Sequence, residues 1–521
     1  MSAEDQSHVY IVGGGVAGLA TAYKLTEQAR ASGEPVPEIT IIDRNADVAQ
    51  GSSQAYGGLL TANSYLTVDF PRADEARTRL STPYIPDAQR NEGVASGWAL
   101  HDATKDETRW VEQVVKSADR PPEVRRADET VYHRFGLSSI HDWERFCQEN
   151  PEFASACSFR YSSGEGQSGI LKIYADGTGT KFEKDRDFLQ GVGGDAQFCR
   201  QLNQDEAHAY CPAAVDAYGQ DALYCSQQGG NINGQAFCTK MLEHLKAQGV
   251  KINFVGGQEV ENIEYGGNSG DITGLQLKSQ DGRTSHVGSL DDRYVFATGP
   301  DQAIWQKLGY RSSPIMGVGG TTLTVPVAEE KLHIPLKFVD KHGGPVMIPI
   351  NDNEGKPCVR VGGYTVFSGA KDVSTSEPFA IDFLTRQYEM FEKLYPDQAH
   401  AFLRDQLGGD IANLSHYSGS WAGIRPVTPD NHAIVDRIPG CSNGVVVAGL
   451  GAMGALAMGA ADMAAQLLGG AERDDLTVKG MSPSDTADLL RMTSIDRLEV
   501  FRTPSHTFEV GRRGDVQPRG R

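Results

Sequence analysis

Glycines 13, 15 and 18 follow a short apolar run, His8–Val12 (HVYIV), and precede residues 19–25, which carry helical character. Strand, glycine turn and helix in that order make a cradle for a pyrophosphate. The first glycine permits the tight turn, the second lets backbone approach the phosphates, and the third lets the helix pack on the strand. The helix start then presents unpaired N–H groups and the positive end of its dipole to the anion. A second strand, 38–43 (EITIID), ends in Asp43, where the hydroxyls of an adenosine ribose would lie. Asp43 stands 25 residues beyond Gly18 rather than the usual ~20, and the loop 31–37 (ASGEPVP) accounts for the excess. The pattern predicts a dinucleotide site at the start of the chain.

That fingerprint does not choose between a nicotinamide and a flavin dinucleotide; three later segments do. Residues 51–60 (GSSQAYGGLL) form a small-residue loop with hydroxyls, able to pass close to a flat ring and to bond phosphate or ribityl oxygens. Residues 293–300 (RYVFATGP) read as a strand ending in Ala-Thr-Gly. The hairpin at 271–287 and the strand at 260–263 predict a β-meander beside the main sheet. Residues 444–454 again give strand, glycine turn and helix start, with Gly449, Gly451 and Gly454 in the same spacing. A second nucleotide site there would need a further strand with an acid ~20 residues on, but the chain runs into the polar stretch 469–475 (GGAERDD). A helix N-terminus aimed at a flavin, where its positive end stabilises charge on the reduced ring, is the better use of this turn.

VGGGVAGLATAY at 12–23, GSSQAYGGLL at 51–60, LTVP at 323–326, RVGGYTVFSG at 360–369 and GIRPVTPDNHAIV at 423–435 occur in this order over about three quarters of the chain. Together they resemble the D-amino-acid oxidase superfamily of FAD-dependent oxidoreductases, most closely the bacterial D-amino-acid dehydrogenases and glycine oxidases. The helix expected over 233–249, running into 250–254 (VKINF), fits the same pattern. The resemblance implies a non-covalently bound FAD and an enzyme that oxidises the C–N bond of an amino acid or N-substituted amino acid. Hydride passes to flavin N5, and the imine formed hydrolyses to a keto acid or aldehyde acid. Cofactor contacts are implied for Gly13, Gly15, Val16, Ala17 and Gly18, for Asp43 and Arg44, and for Ser52, Ser53, Gly57, Gly58 and Leu59. Val260, Thr298 and Gly299 join them, as do Arg425 and the turn Gly451, Ala452, Met453 and Gly454.

Arg425 is also the strongest anchor for a substrate carboxylate, because a guanidinium fork binds a carboxylate bidentately. Its alternative is a bracing arginine paired with Asp430 or Asp436. Tyr364, in the expected strand 360–367, is the second candidate catalytic residue, through a hydroxyl pointed into the pocket, or else a packing residue. Tyr56, His416, Trp421 and His432 stand near motif segments. No metal motif and no Ser/His/Asp triad is legible. Residues 81–190 and those beyond about 475 have no counterpart in the resemblance, and Gly449-Leu450-Gly451 stands where relatives often carry Gly-His-Gly. Two other readings use the same residues: an FAD-dependent 2-hydroxy-acid dehydrogenase with His416 or His432 as base, and a non-catalytic, flavin-stabilised assembly protein.

The chain has 521 residues, more than one hydrophobic core usually supports. The expected architecture is α/β. A discontinuous Rossmann-type, glutathione-reductase-like FAD domain spans 1–80, 195–310 and 411–475. An α+β substrate domain with an antiparallel sheet spans 81–194 and 311–410, and a C-terminal tail covers 476–521 with a short helix near 486–492. A net charge of −19 argues against nucleic acid or an anionic membrane surface as partner, which leaves an amino-acid-like small molecule and an electron acceptor, oxygen or a quinone. The basic residues Arg512, Arg513, Arg519 and Arg521 read as a frayed end. The eight cysteines are scattered without CxxC pairs, and the first residues resemble no signal peptide, so a reduced cytoplasmic protein is expected. The apolar stretch 444–468 carries five glycines and Asp462 and reads as a buried strand, turn and helix rather than a membrane span.

Overall fold

The computed structural model describes residues 8–502 apart from 55–56, 63–72, 87–88, 90–95, 163–168, 175–178, 192–198, 220–221, 228, 267–269, 329–330, 340–344, 353 and 452–453. His8–Val12 and Glu38–Ile42 are largely buried on both faces, as parallel strands lying between helical layers must be. They pair in parallel, Val9 with Ile39 and Ile11 with Ile41, within a six-stranded sheet. Its order is Ile434–Arg437, Gly444–Ala448, Arg293–Phe296, His8–Val12, Glu38–Ile42 and Ile252–Val255, with only the Ile434–Arg437 edge antiparallel. Gln258–Gly266, Asp271–Ser279 and Thr284–Val287 form the antiparallel meander that the sequence predicts.

The helix Val16–Ser32 packs on the helix Ala457–Leu468 in a core that also takes Phe135, Trp143 and Phe146. Those three aromatics belong to the 28-residue helix Pro122–Glu149. This part of 81–194, grouped by sequence with the substrate unit, therefore lies over the helices of the nucleotide sheet. It also binds the second glycine turn. Trp143 Nε1 donates to the Gly454 carbonyl at 3.3 Å, while Ser139 Oγ donates to the Ala455 carbonyl and accepts from the Gly459 N–H at 2.9 Å.

The second sheet has eight strands in the order Ser420–Val427, Met316–Pro326, Pro357–Gly369, Val346–Asn351, Leu336–Val339, Ile170–Tyr174, Leu223–Gln227 and Cys199–Leu202. The last two were expected within the nucleotide stretch 195–310. They pair here because Ile170–Tyr174, buried at every residue, needs a partner on each side. One face carries Leu323, Val325 and Val361 against the helices Pro378–Leu394 and Pro396–Gln406. Thr322 and its cross-strand neighbour Trp421 line the cavity that the sheet shares with the glycine turn.

Beyond residue 475 the chain continues as structure rather than tail: the helix Pro483–Thr493, N-capped by Ser482, and the 3-10 segment Ile495–Phe501. Leu489, Leu490, Ile495 and Phe501 are buried in the nucleotide unit's cores. Arg497 fixes this segment, pairing through Nε with Asp430 at 2.7 Å and donating to the His432 carbonyl at 2.7 Å. The basic residues of 503–521 lie outside the described residues. Residues 444–468 form the strand Gly444–Ala448 and the helix Ala457–Leu468, and no described helix is long and apolar enough to cross a membrane. Seven described cysteines are free thiols, all buried.

Lys337, 7% exposed, is the cross-strand neighbour of Lys172, whose amine is paired with Asp185. Burial first, and the Lys172 charge second, push the Lys337 amine down to about 7. In the unfolded chain the amine holds its proton up to its ordinary value of 10.5. Folding between those values therefore releases a proton, at a cost that grows as pH falls toward 7 and is constant below it. Lys337→Met should raise the thermal midpoint at pH 7 by the equivalent of roughly 2 kcal/mol, with a gain that fades toward pH 10. A gain that does not change with pH would show that the amine stays charged in the folded protein.

Candidate active site

Gly13 closes the first turn by donating its N–H to the Ile42 carbonyl at 2.8 Å. Its φ is +118°, and a Cβ built on it would lie 2.2 Å from the Ala297 carbonyl oxygen. Any side chain there would part the first strand from Arg293–Phe296. The Gly14 N–H donates to Asp43 Oδ2 at 2.7 Å, and Asp43 Oδ1 accepts from the Asn45 N–H at 2.8 Å. The acid expected at the ribose thus also ties down the glycine turn. The Val16 N–H donates to Ser53 Oγ at 3.1 Å, and the first turn of the helix carries no acidic residue to compete with a phosphate.

These groups open on a cavity of about 650 Å³, a volume suited to a cofactor with its substrate. Gly13, Gly15, Val16 and Ala17 line it together with Asp43 and Arg44. Val260, Thr298 and Gly299 extend that wall, and Ser52, Ser53, Gly57 and Leu59 carry it toward the second sheet. Gly451 and Gly454 border it from the second glycine turn. Two expected contacts lie elsewhere. Gly18 packs against the Gly13 carbonyl, and Gly58 sits behind the wall against Ile232 and Ile348, so both act through backbone packing. Ala452, Met453 and Tyr56 fall outside the described residues. The donor set suits FAD: helix-start N–H groups and hydroxyls for the pyrophosphate and ribityl chain, and a carboxylate for the ribose.

Arg425 lies on Ser420–Val427, where Trp421, Gly423 and Arg425 alternate onto one face. A Cβ on Gly423 would meet the Trp421 ring, and one on Gly320, the cross-strand partner of Gly423, would lie 2.2 Å from Arg425 Nη1. Both side chains therefore lie flat over glycine. Arg425 Nη1 donates to the Tyr364 carbonyl at 3.4 Å. The bracing alternative falls away, because Asp430 pairs with Arg497 and Asp436 with Arg473. No described carboxylate lies within ion-pair distance of Arg425. Burial alone pushes the guanidinium down to about 10, so it remains a cation at neutral pH.

Tyr364 sits at an irregularity in the pairing of Met316–Pro326 with Pro357–Gly369, at φ 51°, a costly conformation for a large side chain. Its hydroxyl is directed at Met390 Sδ, 3.8 Å away, and its ring packs on Phe383 with the Arg386 guanidinium 5.4 Å from the ring centre. Its carbonyl, rather than its hydroxyl, is what meets Arg425. His416 is exposed on the turn Ile411–His416, and His432 is buried against Tyr132 and Asp430; neither lines the cavity. Arg79, Tyr84, Trp98, Phe383 and Arg386 do line it and were not singled out from sequence. None of them carried a signal: Arg386 stands beside the apolar stripe Phe379, Phe383 and Leu384 of its helix, a pattern that marks packing rather than a ligand.

The chain matches the family model for FAD-dependent oxidoreductases of the DAO type over residues 8–467. Among solved structures it is similar to glycine oxidase from Geobacillus kaustophilus, at 17% identity over 90% of this chain and 96% of the other, with a TM-score of 0.55. It is also similar to L-proline dehydrogenase from P. horikoshii, at 17% identity over 91% and 95%, with a TM-score of 0.55. A third likeness is to fructosyl amine:oxygen oxidoreductase from Aspergillus fumigatus, at 14% identity over 94% and 92%, with a TM-score of 0.53. At these identities the structures establish a shared fold, a Rossmann-type FAD unit joined to an antiparallel sheet. With the family model spanning most of its length, the chain belongs to the DAO family of FAD-dependent oxidoreductases.

Proposed function

We propose that this protein oxidises the C–N bond of an amino acid or N-substituted amino acid, releasing an imine that hydrolyses to a keto acid or aldehyde acid. The observation that carries this reading is the Arg425 guanidinium, at the cavity wall with no described counter-carboxylate. FAD, when bound, supplies the acceptor for the hydride. The chain's own residues position and enclose. The helix starts at Gly15 and Gly454 present N–H groups to the cofactor, and Arg425 takes the substrate carboxylate bidentately. The Trp421 ring, lying over Gly423, narrows the cavity beside that anchor. Proximity is the protein's main contribution.

The names of similar structures, glycine oxidase and L-proline dehydrogenase, are those of enzymes acting on amino acids, which supports the reading. A 2-hydroxy acid would need a base for its hydroxyl proton, and neither histidine candidate reaches the cavity. An amine entering in its neutral form has no such need. Oxygen and a quinone stand as the alternative electron acceptors.

Anaerobic addition of amino acids should bleach the oxidised flavin of the holoprotein, and Arg425→Met should lower kcat/KM for the best of them roughly 100-fold, mainly through KM. An unchanged kcat/KM would remove Arg425 from the role of anchor. Gly13→Ala should yield protein without bound flavin, read from the ratio of 450 to 280 nm absorbance at about those wavelengths, since the added Cβ has no room beside Ala297. A flavin-replete Gly13→Ala protein would show that the turn tolerates being opened.

A further inference from the structure

We propose that Ser52 is a positioning residue for the reaction: its hydroxyl sets Arg425 against the cofactor, an inference that rests on Arg425 holding the substrate carboxylate. Ser420–Val427 stands at the edge of the eight-stranded sheet, paired on its inner side with Met316–Pro326, where Val318 is the neighbour of Arg425. The outer side of an edge strand presents backbone groups that need partners. Here the carbonyls on either side of Arg425 find them in the two loops that border the cofactor cavity. Ser52 Oγ donates to the Ile424 carbonyl at 2.6 Å, and the Gly451 N–H donates to the Pro426 carbonyl at 2.8 Å. Pro426 has no N–H of its own, so its place on an edge strand leaves no donor unmet.

The loop that carries Ser52 is itself tied to the first glycine turn. The Ala49 N–H donates to the Gly14 carbonyl at 3.0 Å, and Ser53 Oγ accepts from the Val16 N–H at 3.1 Å. Adjacent hydroxyls thus serve opposite sides: Ser53 holds the start of the helix Val16–Ser32, and Ser52 holds the strand of the anchor. Ile424 is buried, so its carbonyl is not freely re-solvated once its donor is lost. The Gly451 bond is backbone to backbone, which leaves Ser52 as the half of the clamp that a side-chain substitution removes. The guanidinium, lying over Gly320 and bonded to the Tyr364 carbonyl at 3.4 Å, follows the backbone that carries it. Its position matters at the ångström scale, because a displaced anchor moves the reacting carbon away from the flavin.

Butyrate, an unreactive carboxylate, tests this on the flavin-saturated holoprotein through the shift of the flavin absorbance. Ser52→Ala should weaken butyrate binding roughly tenfold, and Ser52→Thr, which keeps a hydroxyl donor, should restore most of the loss. In an Arg425→Met background, Ser52→Ala should change the second-order rate of flavin reduction by the best amino acid by no more than about twofold, because the serine acts through the arginine. Ser53→Ala is the contrast and should weaken FAD binding to the apoprotein more than Ser52→Ala does. Unchanged butyrate affinity in Ser52→Ala, a loss that Ser52→Thr does not restore, or an undiminished loss in the Arg425→Met background would each overturn the proposal. A weaker hold on FAD in Ser52→Ala than in Ser53→Ala would do the same by making Ser52 a cofactor ligand. An Arg425→Met protein that binds butyrate as the wild type does removes the anchor and, with it, the role of Ser52. A loss in Arg425→Met with none in Ser52→Ala leaves the anchor standing and removes Ser52 alone.

Discussion

Two stretches of backbone meeting with no side chain between them set the rest of this molecule. At Gly13 the first strand, the second strand through Ile42 and the Arg293–Phe296 strand through Ala297 converge within hydrogen-bonding distance. Only that convergence lets the helix Val16–Ser32 begin where its first N–H groups look into the cavity. The second turn solves the opposite problem. Its helix starts as a 3-10 segment, Gly454–Leu456, before settling into Ala457–Leu468, which leaves backbone groups that burial would not tolerate unpaired. The helix Pro122–Glu149 supplies the partners through Ser139 and Trp143. Its length follows from the need to reach both this turn and the C-terminal helix Pro483–Thr493.

What was legible in the sequence was local. The glycine spacing at 13–18, the Ala-Thr-Gly strand end, the meander and the second glycine turn are each written in a dozen residues, and the structure brings their segments to one cavity. Asp43 was legible as an acid at a strand end, but not as a partner of the Gly14 N–H, because that bond depends on a turn 29 residues away. Arg79, Tyr84 and Arg386 were not legible as lining. Segments 73–86 and 378–394 carry no spacing that marks a ligand, and they reach the cavity through long-range packing. The placement of Cys199–Leu202 and Leu223–Gln227 was lost for the same reason, since a short polar strand does not announce which sheet will take its edge.

Charge follows a similar division. The chain is acidic overall, yet its second sheet buries Lys172, Lys337 and Arg360. The cations in the described lining of the cavity are arginines, whose guanidinium keeps its proton when buried, whereas burial brings the lysine amine at 337 down to about 7. Arg425 further depends on the bare surface of Gly320: the space that admits its guanidinium is a missing side chain on a neighbouring strand.

The strand order carries a consequence for synthesis. His8–Val12 is flanked by Glu38–Ile42, which follows it closely, and by Arg293–Phe296, which does not; Gly444–Ala448 then covers that strand in turn. As the chain leaves the ribosome, the oldest strand therefore offers an open, β-branched edge until residues 293–296 emerge, and the sheet remains open on that side until 444–448 do. Between the emergence of 8–12 and that of 444–448 the nascent sheet is a template for wrong pairing. The cavity, which both glycine turns line, can close only after residues 449–454 have emerged.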